Sequence, residues 1–222
     1  MTAERKRRLV ARCAAAVLVA MLAGGCNGLR KMDLTTLGRD TWQRPADVVA
    51  VLRIRPGDRV ADLGAGDGYF VEHLSDAVGA DGSVFAVEIE QELVDALAER
   101  FPAPTNVEAT LGATDDAGLP DGACDLVLLV NTYHHIEDRV AYFAALAEDL
   151  APGGRVAIVD MNEDLDGLLA WFVDEGHHSS APAVEREMNE AGYKLLASHD
   201  LLAMQIFMVF ALHDAAANGR AP

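Results

Sequence analysis

The chain has 222 residues, 51% of them hydrophobic, with 18 Lys and Arg against 35 Asp and Glu. That length and apolar content suit one α/β domain with extensions. Without the first 25 residues the net charge falls from −17 to −21. Such a body repels phosphate backbones and argues against a nucleic-acid partner.

Arg5, Lys6, Arg7 and Arg8 form a basic start, and residues 13–25 are apolar or small. The run is too short for a membrane span of ~20 residues. Leu22-Ala23-Gly24-Gly25-Cys26 follows the outline of a secretory signal. It also resembles a bacterial lipoprotein signal, which implies a lipidated Cys26 and a domain anchored on the periplasmic side. If the signal does not function, the location is cytoplasmic. Residues 1–25 thus read as signal, 26–41 as a tether, 42–213 as the domain and 214–222 as a tail. With Cys26 lipidated, Cys124 is a lone thiol, expected in the core.

Within the domain, Pro45 opens a helix through Leu52. Arg59 to Leu63 is an apolar strand. Gly64-Ala65-Gly66-Asp67-Gly68 is a turn into a helix running from Asp67 to about Val78. Glycines there let a ligand approach the backbone, and the helix start offers unpaired N–H groups. Ser83 to Val87 is a second strand ending in Glu88, an acid placed to hold a ribose diol. Together these predict an adenosine-cofactor site. The dinucleotide pattern G-x-G-x-x-G would need glycine where Tyr69 stands, which weakens an NAD reading. No G-K-[ST] exists to make a phosphate loop.

A helix over 90–101, a strand Val107 to Leu111 and a buried strand Asp125 to Val130 follow. Glu137 to Leu150 reads as a helix closed by Pro152-Gly153-Gly154, before a strand Arg155 to Asp160. Residues 161–179 break the pattern. A helix Ala183 to Gly192 and strands Lys194 to Asp200 and Met204 to Leu212 complete the domain. This alternation predicts a doubly wound, mostly parallel seven-stranded α/β sheet with an antiparallel C-terminal hairpin strand.

Four segments in order resemble class I S-adenosylmethionine-dependent methyltransferases. They are Val60 to Phe70, Val84 to Glu88, Gly122 to Val130 and Leu150 to Asp160. The resemblance implies the Rossmann-like methyltransferase fold and S-adenosylmethionine as cofactor. It implies that Gly64, Ala65, Gly66 and Gly68 pass close to the cofactor. Asp62 would meet its ammonium and Glu88 its ribose hydroxyls. Asp115 would lie near the adenine, and Asn131 on the cofactor edge.

Tyr133 and His134, after the fourth strand, are candidate catalytic residues, with His135 next to them. A packing or capping role is open for each. Asp160 sits at the lip of the fifth strand, to orient substrate or cap a loop. Trp171-Phe172-Val173 forms a candidate lid. Asp174, Glu175, His177 and His178 lack a second cluster at ligand spacing, so no metal site is assigned. The absence of N-P-P-Y after the fourth strand disfavours methylation of DNA bases, and the shortage of cysteines disfavours arsenite. A small-molecule or lipid-like acceptor, such as a quinone or phenol, remains. The rival reading is an exported nucleoside-type binding module with this fold and no catalysis.

Overall fold

The computed structural model describes residues 38–163 and 178–213. The signal and its Cys26, the candidate lid Trp171 to Val173, His177 with its acidic neighbours, and the tail lie outside the described residues.

Helix α1, Arg39–Trp42, and helix α2, Pro45–Leu52, precede strand β1, Arg59–Leu63. Helix α3, Tyr69–Val78, leads to β2, Ser83–Glu88; helix α4, Gln91–Arg100, leads to β3, Val107–Leu111. Strand β4, Cys124–Val130, is followed by a 3-10 turn, Tyr133–His135, and helix α5, Arg139–Leu146. Strand β5, Leu150–Met161, helix α6, Ala181–Glu190, and strands β6, Tyr193–Ser198, and β7, Gln205–Leu212, end the domain.

The seven strands order as β3-β2-β1-β4-β5-β7-β6. β1 to β5 pair in parallel, whereas β7 runs antiparallel to both β5 and β6. This is the doubly wound, mostly parallel sheet with antiparallel C-terminal strands that the strand–helix alternation predicts. Side chains alternate across each strand. In β4, Leu126 and Leu128 join α2, α3 and α4 in one core, while Val127 and Leu129 join α5 and α6 in the other. Cys124 is fully buried, and burial pushes its thiol up to about 12.

Two expectations need correction. The helix after β4 stops at Leu146, and β5 already begins at Leu150 and runs through Pro152-Gly153-Gly154. Cys124 pairs with Leu150, and the register shifts before Leu126 meets Arg155. The glycine pair therefore sits in a sheet irregularity, where a Cβ on Gly154 would press on the Cys124 carbonyl at 2.7 Å. Secondly, α1 begins inside the stretch read as a tether. It is held down by Arg39, which pairs with Asp67 at 3.1 Å and lies 4.0 Å over the Tyr69 ring.

Candidate functional site

Crevices at the carboxyl ends of parallel strands collect ligands because the strand order reverses there. Here β1 lies between β2 and β4, and the turn after β1 opens at that reversal. Gly64 and Ala65 both donate backbone N–H groups to the Val87 carbonyl, at 2.9 and 3.0 Å. This ties the turn to the tip of β2. Glu88 Oε1 accepts from the Gly66 N–H at 2.6 Å.

Two of these glycines are required for different reasons. Gly64 has φ +78°, and a Cβ there would meet the Thr132 hydroxyl oxygen at 2.3 Å. Gly66 has φ +56° with nothing within 4 Å of a built Cβ, so its open side faces free space. Gly68, in contrast, packs against Leu97 and Phe101 of the α4 region. It serves helix packing, and no open space for a ligand lies over it.

A cavity of about 650 Å³ lies beside this turn. Gly64, Glu88, Asp115 and Asn131 line it, together with Thr132, His135 and Tyr142. Glu90, Glu137 and Asp138 add further carboxylates, and the lining holds no Lys or Arg. Its walls therefore favour a cationic ligand over an anionic one. Asn131 adopts the left-handed region at φ 56°, a conformation that Asn tolerates better than most residues. Its Oδ1 accepts from Gln205 Nε2 at 2.9 Å.

Asp62 is 1% exposed, and its Oδ2 has no hydrogen-bond partner among the described residues. Burial, and then the nearby charge of Glu88, push its carboxyl up to about 7; Asp67 adds to the rise and Arg39 opposes it. A buried carboxylate without a partner is costly. A cationic donor from a ligand would satisfy it.

Tyr133 and His134 do not share this cavity's lining. Tyr133 is 1% exposed and belongs to the core under α5 and α6. Its hydroxyl donates to Glu187 Oε2 at 2.6 Å. Burial and this carboxylate raise the phenol well above its ordinary range. Tyr133 is thus buried with its hydroxyl held by Glu187, and it does not line the cavity.

His134 is held by Asp160, which is fully buried. His134 Nδ1 lies 2.7 Å from Asp160 Oδ1, and the His134 backbone N–H donates to Oδ2 at 3.0 Å. Asp160 also accepts from the Met161 N–H at 2.9 Å and the Ser179 hydroxyl at 2.8 Å. Asp160 is thus an anchor for the turn and not a group on the pocket lip. His135, whose ring centre lies 4.1 Å from that of His134 at a tilt of 47°, is the histidine that lines the cavity.

Sequence reasoning passed over Trp42, Gln205 and Tyr142. Tyr142 lies in an apolar helix, where nothing local distinguishes it from a core residue. Gln205 had a signal, being a lone amide opening an apolar strand. Trp42 stood at the edge of an apparently unstructured segment.

Residues 60–154 match the family model described as "Methyltransferase domain". A protein of a Streptomyces fradiae transposon, described as uncharacterized, is 28% identical over 171 residues, 77% of this chain and 48% of that one. The Francisella philomiragia ubiquinone/menaquinone biosynthesis C-methyltransferase UbiE is 23% identical over 74% of this chain and 68% of its own length. The chain thus spans about half the length of the first relative and about two thirds of the second. Among solved structures, a SAM dependent methyltransferase from Aquifex aeolicus superposes with a TM-score of 0.70 at 21% identity, covering 81% of this chain and 97% of that one. A TehB-like SAM-dependent methyltransferase from Corynebacterium glutamicum gives 0.61 at 17% identity, covering 83% and 95%. At these identities the structures speak to the fold alone. Over residues 60–154 this chain is similar to the methyltransferase domain family, and its doubly wound sheet is the fold of the solved methyltransferases.

Proposed function

We propose that this enzyme transfers a methyl group from S-adenosylmethionine to a small-molecule or lipid-like acceptor of the quinone or phenol class. The observation that carries the cofactor reading is the buried, unpartnered Asp62 carboxylate beside an open glycine turn. Asp62 meets the cofactor's ammonium, and the backbone of Gly64, Ala65 and Gly66 passes along its amino-acid portion. Glu88 exchanges its bond with Gly66 for the ribose hydroxyls. Asp115 and Asn131 flank the adenosine, and the surrounding carboxylates favour the sulfonium charge.

When bound, S-adenosylmethionine supplies an activated methyl whose transfer leaves a neutral thioether. The protein's task is then alignment, which contributes roughly 7–11 kcal/mol in well-oriented reactions. His135 faces the acceptor end and takes the acceptor's proton where one must leave, a role worth about 10²–10⁴-fold. His134 and Asp160 hold the backbone that presents it. The acceptor class draws support from the ubiquinone/menaquinone methyltransferases among the relatives.

Isothermal titration of the full chain with S-adenosylmethionine, S-adenosylhomocysteine and NAD tests this reading. Binding of the first two without the third supports it, and binding of NAD alone overturns it. Lipid attachment at Cys26 and a periplasmic-side location rest on the sequence pattern of residues 1–26. Labelling with palmitate in cells, lost on Cys26→Ala, is the expected result. Equal labelling of wild type and variant would exclude attachment there.

A further inference from the structure

Besides His178 Nδ1, three side-chain polar atoms are buried without a partner among the described residues: Trp42 Nε1, Asp62 Oδ2 and Gln205 Oε1. They belong to three distant stretches of chain, yet they share one side of the sheet. Asp62 follows Ala61 and precedes Leu63, both in the core under α5 and α6, so its own side chain points to the opposite face, that of α2 and α3. Gln205 precedes Ile206 of that first core and is likewise on the α2 side. Its strand partner is Met161, at the carboxyl end of β5.

Helix α1 covers this edge. Arg39 reaches Asp67 in the glycine turn, and Trp42, one turn later, lies on the same helix face. Arg44, immediately after, donates to the Leu201 carbonyl at 2.8 Å, in the loop leading to β7. The segment 39–44 is therefore a strap running from the glycine turn to the entry of β7, with Trp42 buried beneath it.

The three orphans are one donor and two acceptors. An α-amino acid zwitterion presents the complement: a carboxylate that accepts and an ammonium that donates. We propose that Trp42 and Gln205 complete the subsite for the amino-acid end of the cofactor, the indole N–H donating to its carboxylate and the Gln205 carbonyl joining Asp62 in accepting from its ammonium. The assignment rests on the S-adenosylmethionine reading. Gln205 also fixes Asn131 through its amide nitrogen, so the same side chain ties the amino-acid end to the adenosine side.

The test compares two ligands by titration of the full chain. S-adenosylhomocysteine carries the amino-acid end; 5′-methylthioadenosine lacks it. Trp42→Phe keeps the ring and removes only the donor, and Gln205→Leu removes the acceptor at similar volume. Each is expected to weaken S-adenosylhomocysteine about ten- to a hundredfold; Trp42→Phe leaves 5′-methylthioadenosine within about twofold of wild type, and Gln205→Leu, which also frees Asn131, weakens it several-fold less than it weakens S-adenosylhomocysteine. Equal losses for both ligands, or unchanged S-adenosylhomocysteine affinity in both variants, would overturn the assignment while leaving the cofactor reading intact. A wild-type protein that binds neither ligand overturns both.

Discussion

The backbone N–H of Gly66 donates to Glu88 Oε1 at 2.6 Å, joining residues 22 positions apart, one in the turn after β1 and one at the tip of β2. The carboxylate holds the turn in a ready shape. It is also the group a ribose diol would claim. The same side chain thus preorganises the turn before binding and changes partner on binding.

Glu88→Ala removes both functions. Cofactor affinity should fall about ten- to a hundredfold, as for the loss of a hydrogen bond to a charged group. Glu88 is half-buried, so the fold should survive. Titration calorimetry reads the affinity and thermal unfolding reads the fold. An unchanged dissociation constant would remove Glu88 from the site.

Asp62 makes binding depend on pH. Its carboxyl is raised from 3.8 to about 7, first by burial and then by Glu88. An ammonium needs the ionised form, so affinity should climb as pH rises through about 7 and weaken below it. Stability of the ligand-free protein runs the other way. Between about 4 and 7 the folded state keeps a proton that the unfolded state has released, so rising pH favours unfolding. Asp62→Asn should flatten the binding profile. Its melting temperature, relative to wild type, should improve progressively from pH 4 to pH 8. A gap that stays constant over that range would contradict the buried, unpaired assignment.

Gly64 and Gly66 should separate stability from binding. Gly64→Ala combines a left-handed φ with a Cβ 2.3 Å from the Thr132 hydroxyl, costing roughly 2–5 kcal/mol of stability. Gly66→Ala meets no protein atom and costs only about 1–2 kcal/mol of backbone strain. It should nevertheless lose cofactor affinity, since its methyl enters the space the ligand needs. Melting curves and titration on both variants check the contrast; tight binding by Gly66→Ala would show the ligand passes elsewhere.

Tyr133→Phe should leave S-adenosylhomocysteine affinity unchanged and lower stability by about 1–3 kcal/mol, because Glu187 loses its hydroxyl partner. At roughly 2–4 °C per kcal/mol for a chain this size, the shift is measurable by calorimetry. A full-strength melting temperature with reduced ligand binding would return Tyr133 to the crevice.

The fold was legible because its signals are local. Val60 to Leu63 and Leu126 to Val130 are unbroken apolar runs of buried parallel strands, and the glycine turn between β1 and α3 carries its own conformational demand. The start of β5 was not legible. Leu150 to Gly154 has the residues of a helix stop, and only pairing of Leu150 with Cys124 makes it strand. Sequence proximity does not say which of three adjacent residues lines the cavity: His135 does, and Tyr133 and His134 do not.

Sequence alone determined the strand–helix alternation, the glycine turn with its flanking acids, and the acidic surface, because backbone conformation and charge depend on nearby residues. Tertiary structure alone decided which histidine meets the cavity, that Asp160 is an anchor, and that Trp42, Asp62 and Gln205 share one buried edge. Those facts depend on which groups lose water together. Contacts between residues up to 157 positions apart, as between Arg44 and Leu201, settle that, and no local pattern encodes it.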